Sequence, residues 1–594
     1  MGKIVITDEA GAPATPADGV TIYSVASELR YLDESGVVHK VATDNKPNIG
    51  GGAVTNSMLA TDVKAGSLAA LTTTAKGSLQ AAINEVDANA DAAAAAAAQA
   101  NTRIGAAASA SGSIGTSVDA DGTLRAGAVD VPDVIANGIV SMPKLAPDVR
   151  KVLAKPTNLY AILAPPTAFA AACAALGWSP LMIYQEADGR ASLGPGSLLD
   201  YAPTGTGIWY VDGSRPDNSG DGLSWATAKR GLNYAIQAAN ASSNGGTIWM
   251  ANGVYPYPDS IQTLAVTKNV AVRAVEAGKV VLSNHRVYSW AVDAVYTSTY
   301  VATHGLGGPN HYMVCDALYP DALGDYQALV KRTSVSDVNS NAGSWYDDGT
   351  RIYVRLSDER APDANLRPYW SGSGSTLIRI AAGSPVVLFD GLRLEGGGSC
   401  ATIQAESAGV TPVVYFHGCT FKYAADNGLN NVGADTYCQN CLAAKNVNDG
   451  FHYAERATAI RQACGMEIDC VGRHNGDGTT HISNGSTGHN AILVVRAGGN
   501  YYGNAGRNVH DVGPGTTKSW NIFCWAHDGV DSLYRSNFAC GTGSSDQAMS
   551  WLDSCRSSGG GQADLETVPG TTISTRACTL RVGTNLGSGT VVEY

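Results

Sequence analysis

The feature that most constrains this 594-residue chain is a repeat in its last third. A segment ending in cysteine is followed, a few residues later, by Asn-Gly or Asp-Gly. Cys419 leads to Asp426-Asn427-Gly428, Cys441 to Asn448-Asp449-Gly450, Cys470 to Asp477-Gly478 and Cys524 to Asp528-Gly529. In the first two units the glycine falls nine residues after the cysteine; in the other two it falls eight and five residues after. A repeat with a period in the twenties specifies a solenoid, in which each turn buries its apolar face on its neighbours. Cys400, Cys419, Cys441, Cys464, Cys540, Cys555 and Cys578 recur at about one per turn, and a free cysteine behaves as a small buried hydrophobe. The expectation is an inert vertical stack of thiols. Cys438-Gln439-Asn440-Cys441 has CxxC spacing, but no second pair accompanies it, so neither a metal site nor a cofactor is expected.

Composition supports the solenoid. Only 15% of residues are charged and 69 are glycine, as tight-turned β structures require. The formal net charge of −12 argues against binding a nucleic-acid backbone. No apolar run of about 18 residues is present, so no membrane insertion is expected. The first residues, Met1-Gly2-Lys3-Ile4-Val5, lack the apolar core of a secretion signal.

Four regions follow along the chain. Residues 1–48 suit a small β module, with Ile22, Leu29, Tyr31, Val37, Val38 and Val41 arranged around the turn at Asp33–Gly36. Residues 49–155 suit a shaft. Within it Leu79, Ile83, Val86, Ala90, Ala93, Ala97, Ala100 and Ile104 alternate spacings of four and three, the period of a coiled coil. The alanine-rich stretch also suits a plain spacer. Residues 156–205 form a neck with a short helix over 166–176. Residues 206–594 form the solenoid. It opens on the strand Ile208–Val211 and a helix over 228–240, which Ser224 and Thr227 can cap. That helix carries Leu232, Ala235, Ile236 and Ala239 on one face, suited to covering the exposed end of a stack. Short strands then recur at Val270–Ala274, Ile352–Leu356, Leu377–Ile380, Val386–Leu394, Val413–Phe416 and Ile492–Arg496. The fold class is mainly β: a parallel β-helix.

Four stretches resemble known families. Leu68-Ala69-Ala70-Leu71-Thr72 through Gly77-Ser78-Leu79-Gln80-Ala81-Ala82-Ile83-Asn84-Glu85-Val86 is similar to a segment common in bacteriophage tail fibres and tailspikes, as is Lys144-Leu145-Ala146-Pro147-Asp148-Val149. Tyr210-Val211-Asp212-Gly213-Ser214, Gly222-Leu223-Ser224-Trp225-Ala226-Thr227-Ala228 and Ala235-Ile236-Gln237-Ala238-Ala239 resemble the entry of pectate-lyase-like β-helix domains. Gly343–Val354 resembles an element of the same superfamily. Together these imply a right-handed, homotrimeric tailspike. It would attach to a phage tail or baseplate protein through its N-terminal module and bind and depolymerise a host surface polysaccharide. The alternatives are a non-catalytic glycan-binding adhesin and a structural tail fibre on the same fold. The resemblance further implies a virion protein made in the host cytoplasm and acting at the cell surface. Thiols made in that reducing compartment stay unpaired.

Cutting a glycan by hydrolysis needs two carboxylic groups, and cutting it by elimination needs a base and a cation. The densest polar region is 446–531, which holds six of the eleven histidines. Asp449, Asp477 and Asp511, with Glu467 in reserve, are the acid/base candidates. His452, His481, His489, Arg496, Tyr501 and Tyr502 are the substrate-binding candidates. Asp-Gly in a repeated turn is also an ordinary structural signal. Between Gly478 and Gly529 the cysteine marker lapses, and a departure from the solenoid frame around 481–490 would account for it.

Overall fold

In the computed structural model the described residues are 6–8, 21–25, 28–32, 38–40 and 159–594, apart from short segments at 187–190, 194–195, 258–265, 373–374, 382, 408, 456–460, 477–482, 530–535, 560–562 and 581–584. The predicted coil, Asp477 and His481 lie outside them. The chain forms two compact units, Met1–Lys155 and Pro156–Tyr594. In the first, the strands Ile6–Asp8, Thr21–Val25, Glu28–Leu32 and Val38–Lys40 make one sheet.

The second unit is a parallel β-helix. Each full turn contributes one strand to each of three parallel sheets. Sheet A has twelve strands, from Gly207–Val211 to Thr590–Glu593; sheets B and C have nine each, from Gly253–Tyr255 to Arg556–Ser558 and from Ile378–Ile380 to Asn585–Gly587. The predicted strand 386–394 is two strands, Val386–Asp390 in sheet A and Leu392–Glu395 in sheet B, broken at Gly391. The break recurs. From Val386–Asp390 onward, one residue at each A-to-B corner takes a left-handed backbone: Gly391, Gly418, Asn440, Asp469, Gly498, Phe523, Ser554 and Ala577 all have φ between 51° and 70°.

The cysteine column follows from that corner. Cys419, Cys441, Cys470, Cys524, Cys555 and Cys578 each come directly after the left-handed residue. Their thiols turn inward and donate to carbonyls of the corner or of the preceding turn, as from Cys441 Sγ to Phe416 O (3.3 Å) and from Cys524 Sγ to Arg496 O (3.3 Å). Cys400, Cys464 and Cys540 stand elsewhere: at the start of a sheet C strand, on the outer face of sheet A, and at the end of a sheet C strand. Residues 477–482 lie outside the described ones, and beyond them the strands keep the frame where the marker lapses. Ile492–Ala497, Asn500–Tyr502 and Val509–Val512 continue all three sheets in register. Gly499 holds the cysteine place there. A Cβ on it would meet the Tyr501 ring at 2.5 Å, so the aromatic ring fills the space a thiol occupies on other turns.

The helix Leu232–Ala241 caps the stack, with Leu232, Ala235, Ile236 and Ala239 buried against Trp209 and Val211. It starts later than expected. Ser224 caps a 3-10 turn at Trp225–Thr227 instead, and the following residues pair Lys229 with Val211 across a bridge before Gly231 opens the helix.

Two segments cover the outside of the stack. The neck, with helix Thr167–Leu176, lies on the outer face of sheet A and buries Phe169, Cys173, Trp178 and Leu198 against Met466, Leu493 and Trp520. A mainly antiparallel insertion between Ser283 and Leu377 contains Arg351–Arg355, which pairs antiparallel with Tyr300–Thr303 and Ser344–Asp347 and is thus not a solenoid strand. The insertion docks on the outer face of sheet B. Asp325 meets Lys422 (2.7 Å) and Arg473 (2.5 Å), and the Tyr326 and Tyr369 rings flank that of Tyr423 (5.3 and 5.5 Å). These cations are buried, and the shared carboxylate offsets their desolvation.

Two outcomes are expected. Eleven thiols are buried, while Cys578 is half-exposed and the Cys555 thiol that bonds to it lowers its pKa. A thiol reagent on the native protein labels Cys578 first, and the rest only on unfolding; rapid labelling of several native thiols would contradict the stack. Burial also holds His285 and His510 well below their ordinary value of 6.5, with Arg367 and Arg507 adding to the effect. The unfolded chain then binds protons that the folded chain refuses, so stability falls as pH drops below about 6.5. Buried Glu467 and Asp435, raised by desolvation, act in the opposite sense. His285→Gln is expected to flatten the fall in Tm between about pH 7 and pH 5; an unchanged slope contradicts it.

Candidate functional site on the outer face of sheet C

Side chains alternate along each strand of sheet C. Leu429, Asn431, Phe451 and Tyr453 point to the interior, leaving Asn430, Val432, His452 and Ala454 outside. Register stacks the outer positions in columns. Asn430 pairs with His452, His452 with Thr487, and Thr487 with His510; beside them Ala454 pairs with His489. Asn430, His452 and His489 are partly exposed on this face, whereas Thr487 and His510 are buried, the latter against Gly541 O (3.3 Å).

The turn before each sheet C strand is pinned by a second column. Asn427 Oδ1 accepts from Asp449 N (3.1 Å). Asp449 Oδ1 accepts from Asn484 N (2.7 Å) and Asn484 Nδ2 (3.0 Å), and Asn484 Oδ1 accepts from Arg507 N (2.8 Å). The Asn-Gly and Asp-Gly signals are therefore rungs of a hydrogen-bonded ladder, as turn chemistry predicts. Asp449 has a second aspect. One atom each from Asp449, His452 and His489 lie within 4.8 Å of one another, and the two imidazoles are 5.0 Å apart. Burial raises the pKa of the Asp449 carboxyl. Burial, reinforced by His489, pushes His452 down to about 3, so its ring is neutral near pH 7. His452 Nδ1 meets Asn430 Oδ1 at 2.9 Å. With the amide oxygen accepting, Nδ1 carries the proton and the Nε2 lone pair is left for other use.

Next to this cluster is a shallow depression of about 270 Å³, lined by Arg379, Ser399, Thr402, Gln404, Asp426 and Asn430 among others. Asn430 belongs to both. Asp426 is half-buried; its carboxylate accepts from Asn448 Nδ2 (3.0 Å) and Ser399 Oγ (3.4 Å). A larger depression of about 530 Å³ lies where the insertion meets the first turns, lined by Arg286, Trp290 and Arg367. Its one carboxylate, Asp363, is engaged by Asn365 and Arg360, so that site lacks a free acid/base pair.

Of the sequence candidates, then, Asp449, His452 and His489 meet on one surface. Four others lie inside the solenoid: Glu467, Arg496, Tyr501 and Asp511 are wholly buried. Arg496 donates to both oxygens of Asp511 (3.0 and 2.9 Å), to Ser486 Oγ (2.7 Å) and to Asn521 Oδ1 (3.2 Å). Glu467 accepts from Ser486 Oγ (2.5 Å) and Tyr501 OH (2.7 Å). Each polar atom of this group is spent on another, which takes the four away from any surface glycan. Tyr502 is on the outer face of sheet B, stacked on His527 at 4.8 Å. Sequence reasoning passed over Asn430 and Thr487 and read Asp426 as a turn residue. Their signal is register: each shares a column or a turn with a candidate on the adjacent rung.

No family model matches this chain, and no curated protein matches it. Among solved structures, it is similar to a glycoside hydrolase (12% identity over 65% of this chain and 96% of that one, TM-score 0.41). It is also similar to pectate lyase Pel9A (13%, 66% and 78%, TM-score 0.30). A third similarity is to a tailspike protein of Acinetobacter baumannii bacteriophage Fri1, a capsular polysaccharide depolymerase (11%, 70% and 70%, TM-score 0.21).

Removing one partner of a buried ion pair strands the other charge, at a cost of about 3–5 kcal/mol. Asp511→Ala is expected to lose that much on chemical denaturation, whereas half-buried Asp426→Asn changes stability by less than about 1 kcal/mol. Equal effects at the two positions would refute the assignment of interior and surface.

Proposed function

We propose that this chain is a bacteriophage tailspike whose β-helix binds a bacterial surface polysaccharide along sheet C and depolymerises it. The observation that carries this reading is the convergence of Asp449, His452 and His489 beside the Asp426 depression, on the outer face of a rigid stack. A β-helix repeats at about 4.8 Å, so successive rungs present polar side chains along a glycan lying over the sheet. Asp426 is the accessible carboxylate and Arg379 the cation suited to an acidic sugar. His452 offers an unshared ring nitrogen beside them. The tailspike-like segments at 68–86 and 144–149 supply the phage assignment and the expectation of a homotrimer held to the virion through the N-terminal region.

A second reading has its own support. Asp449 Oδ1 is fully engaged by Asn484, which suits an adhesin that binds glycan without cutting it.

Incubation of the purified chain with a panel of capsules, exopolysaccharides and lipopolysaccharides separates the two. Shorter oligosaccharides support the depolymerase, and a fall in turnover of about 10²-fold or more in Asp426→Asn and His452→Ala places the chemistry on sheet C. New ultraviolet absorbance from an unsaturated uronate selects elimination over hydrolysis. Binding without a change in size leaves only the adhesin. No binding to any glycan removes both readings, and sedimentation as a monomer removes the trimer.

A further inference from the structure

Two groups of two histidines and one aspartate occur among the described residues, and their hydrogen bonding separates them. In the insertion, His304 Nε2 and His311 Nδ1 each meet a different oxygen of Asp347 (2.9 and 2.6 Å). Their other nitrogens are also used: Leu306 N donates to His304 Nδ1 (3.4 Å), and Tyr288 OH meets His311 Nε2 (2.9 Å). Every ring nitrogen there has a partner, and an ion would have to displace them.

The group on sheet C is built differently. Asn430 occupies Nδ1 of His452 and leaves the Nε2 lone pair unclaimed, and one ring nitrogen of His452 lies within 4.8 Å of a ligand atom of Asp449 and of His489. A hydrogen bond at one ring nitrogen is what orients an imidazole that ligates through the other. Asn484 holds one oxygen of Asp449 through two donors and so fixes the direction of the other. Ala454, in register with His489 on the neighbouring rung, is small enough to let the His489 ring lean toward that of His452. A further observation points the same way. Thr487 is fully buried, stands in register with His452, and its hydroxyl lies beside the Asp449 carboxylate, adding an oxygen to the group.

We propose that Asp449, His452 and His489 bind one divalent transition-metal ion on the outer face of sheet C, with the Thr487 hydroxyl at the edge of its coordination sphere. Two imidazoles and one carboxylate suit Zn²⁺ and its neighbours better than Ca²⁺ or Mg²⁺, which take oxygen ligands. Three protein ligands also leave a position open to an oxygen of a ligand in the groove. The site itself is independent of the glycan assignment; only that use of the open position rests on it. Sequence spacing did not suggest the site, because its ligands come from adjacent rungs rather than from a helical HxxxH pair.

The test is Zn²⁺ titration of the full-length protein after chelator treatment and dialysis, read by calorimetry and by Tm. One ion per chain is expected, with a rise in Tm. In His452→Ala and His489→Ala the affinity falls at least tenfold and the Tm rise is lost, while Asp426→Asn binds as the wild type does. Circular dichroism and the metal-free Tm establish that the variants are folded, and His452→Gln serves if the alanine variant is not. Absence of Zn²⁺ binding, or binding unchanged in both histidine variants, overturns the proposal. The glycan assay repeated in chelator keeps the two ideas apart. Zn²⁺ bound by a protein inert toward every glycan supports the ion and sinks the depolymerase. Undiminished cleavage by a protein that takes up no Zn²⁺ does the reverse.

Discussion

The left-handed residue at each A-to-B corner from Gly391 onward governs this architecture. There the chain turns between sheets once per rung, with both flanking strands in register, through a single left-handed residue. Glycine and asparagine suit that conformation, but Phe523, Ser554 and Ala577 adopt it as well. For a non-glycine residue the strain is about 1–2 kcal/mol. The stack imposes it, because moving the corner by one residue would turn every following side chain to the opposite face. The residue after the corner must then face inward in little space. Cysteine is small and apolar, and its thiol can reach a carbonyl of the turn below. The thiol column is thus a consequence of corner geometry and needs no redox chemistry.

The same registry explains why polar residues are divided so sharply between inside and outside. Glu467, Arg496, Asp511, Ser486, Tyr501 and Asn521 form a layer between two apolar clusters, one ending at Val494 and the other beginning at Tyr501. A desolvated guanidinium is tolerated only if its donors are all used, and here the bidentate carboxylate, a hydroxyl and an amide use them. The Asp511 pair raises the Arg496 pKa against the effect of burial. Such a layer costs stability relative to apolar packing but fixes which rung lies on which.

Much of the fold is legible in the sequence, and the reason is local. The Cys-to-Gly repeat encodes corners and turns, which depend on a few adjacent residues. Strand Ile492–Ala497 and the helix at Leu232–Ala241 likewise follow from patterns within one element. What escaped was anything fixed by the neighbouring rung. Asp511 and Glu467 have the residue types of catalytic groups, and only the strand alternation, which places them inside, removes them. His452 and His489 were named on composition, yet their meeting depends on the register of Phe451–Ala454 with Ser486–His489. The spacing between ladder partners is 22 residues from Asn427 to Asp449 but 35 from Asp449 to Asn484. A fixed period cannot find columns whose turns differ that much in length.

The uneven turn length also bears on where function concentrates. In a solenoid the sheets must keep their register, so variation is confined to the turns and to what is laid over the faces. This chain lays the neck over sheet A and the insertion over sheet B, and each cover is matched by an outer face suited to it: Met466, Leu493 and Trp520 under the neck, Lys422 and Arg473 under Asp325. Sheet C carries neither an apolar face nor buried cations on its outside. Its columns run through Thr402, Asn430 and His452, polar groups in register of which His452 and Asn430 hydrogen-bond along the stack. A face composed in that way is poorly suited to packing against protein and well suited to a hydroxyl-rich ligand running across the rungs.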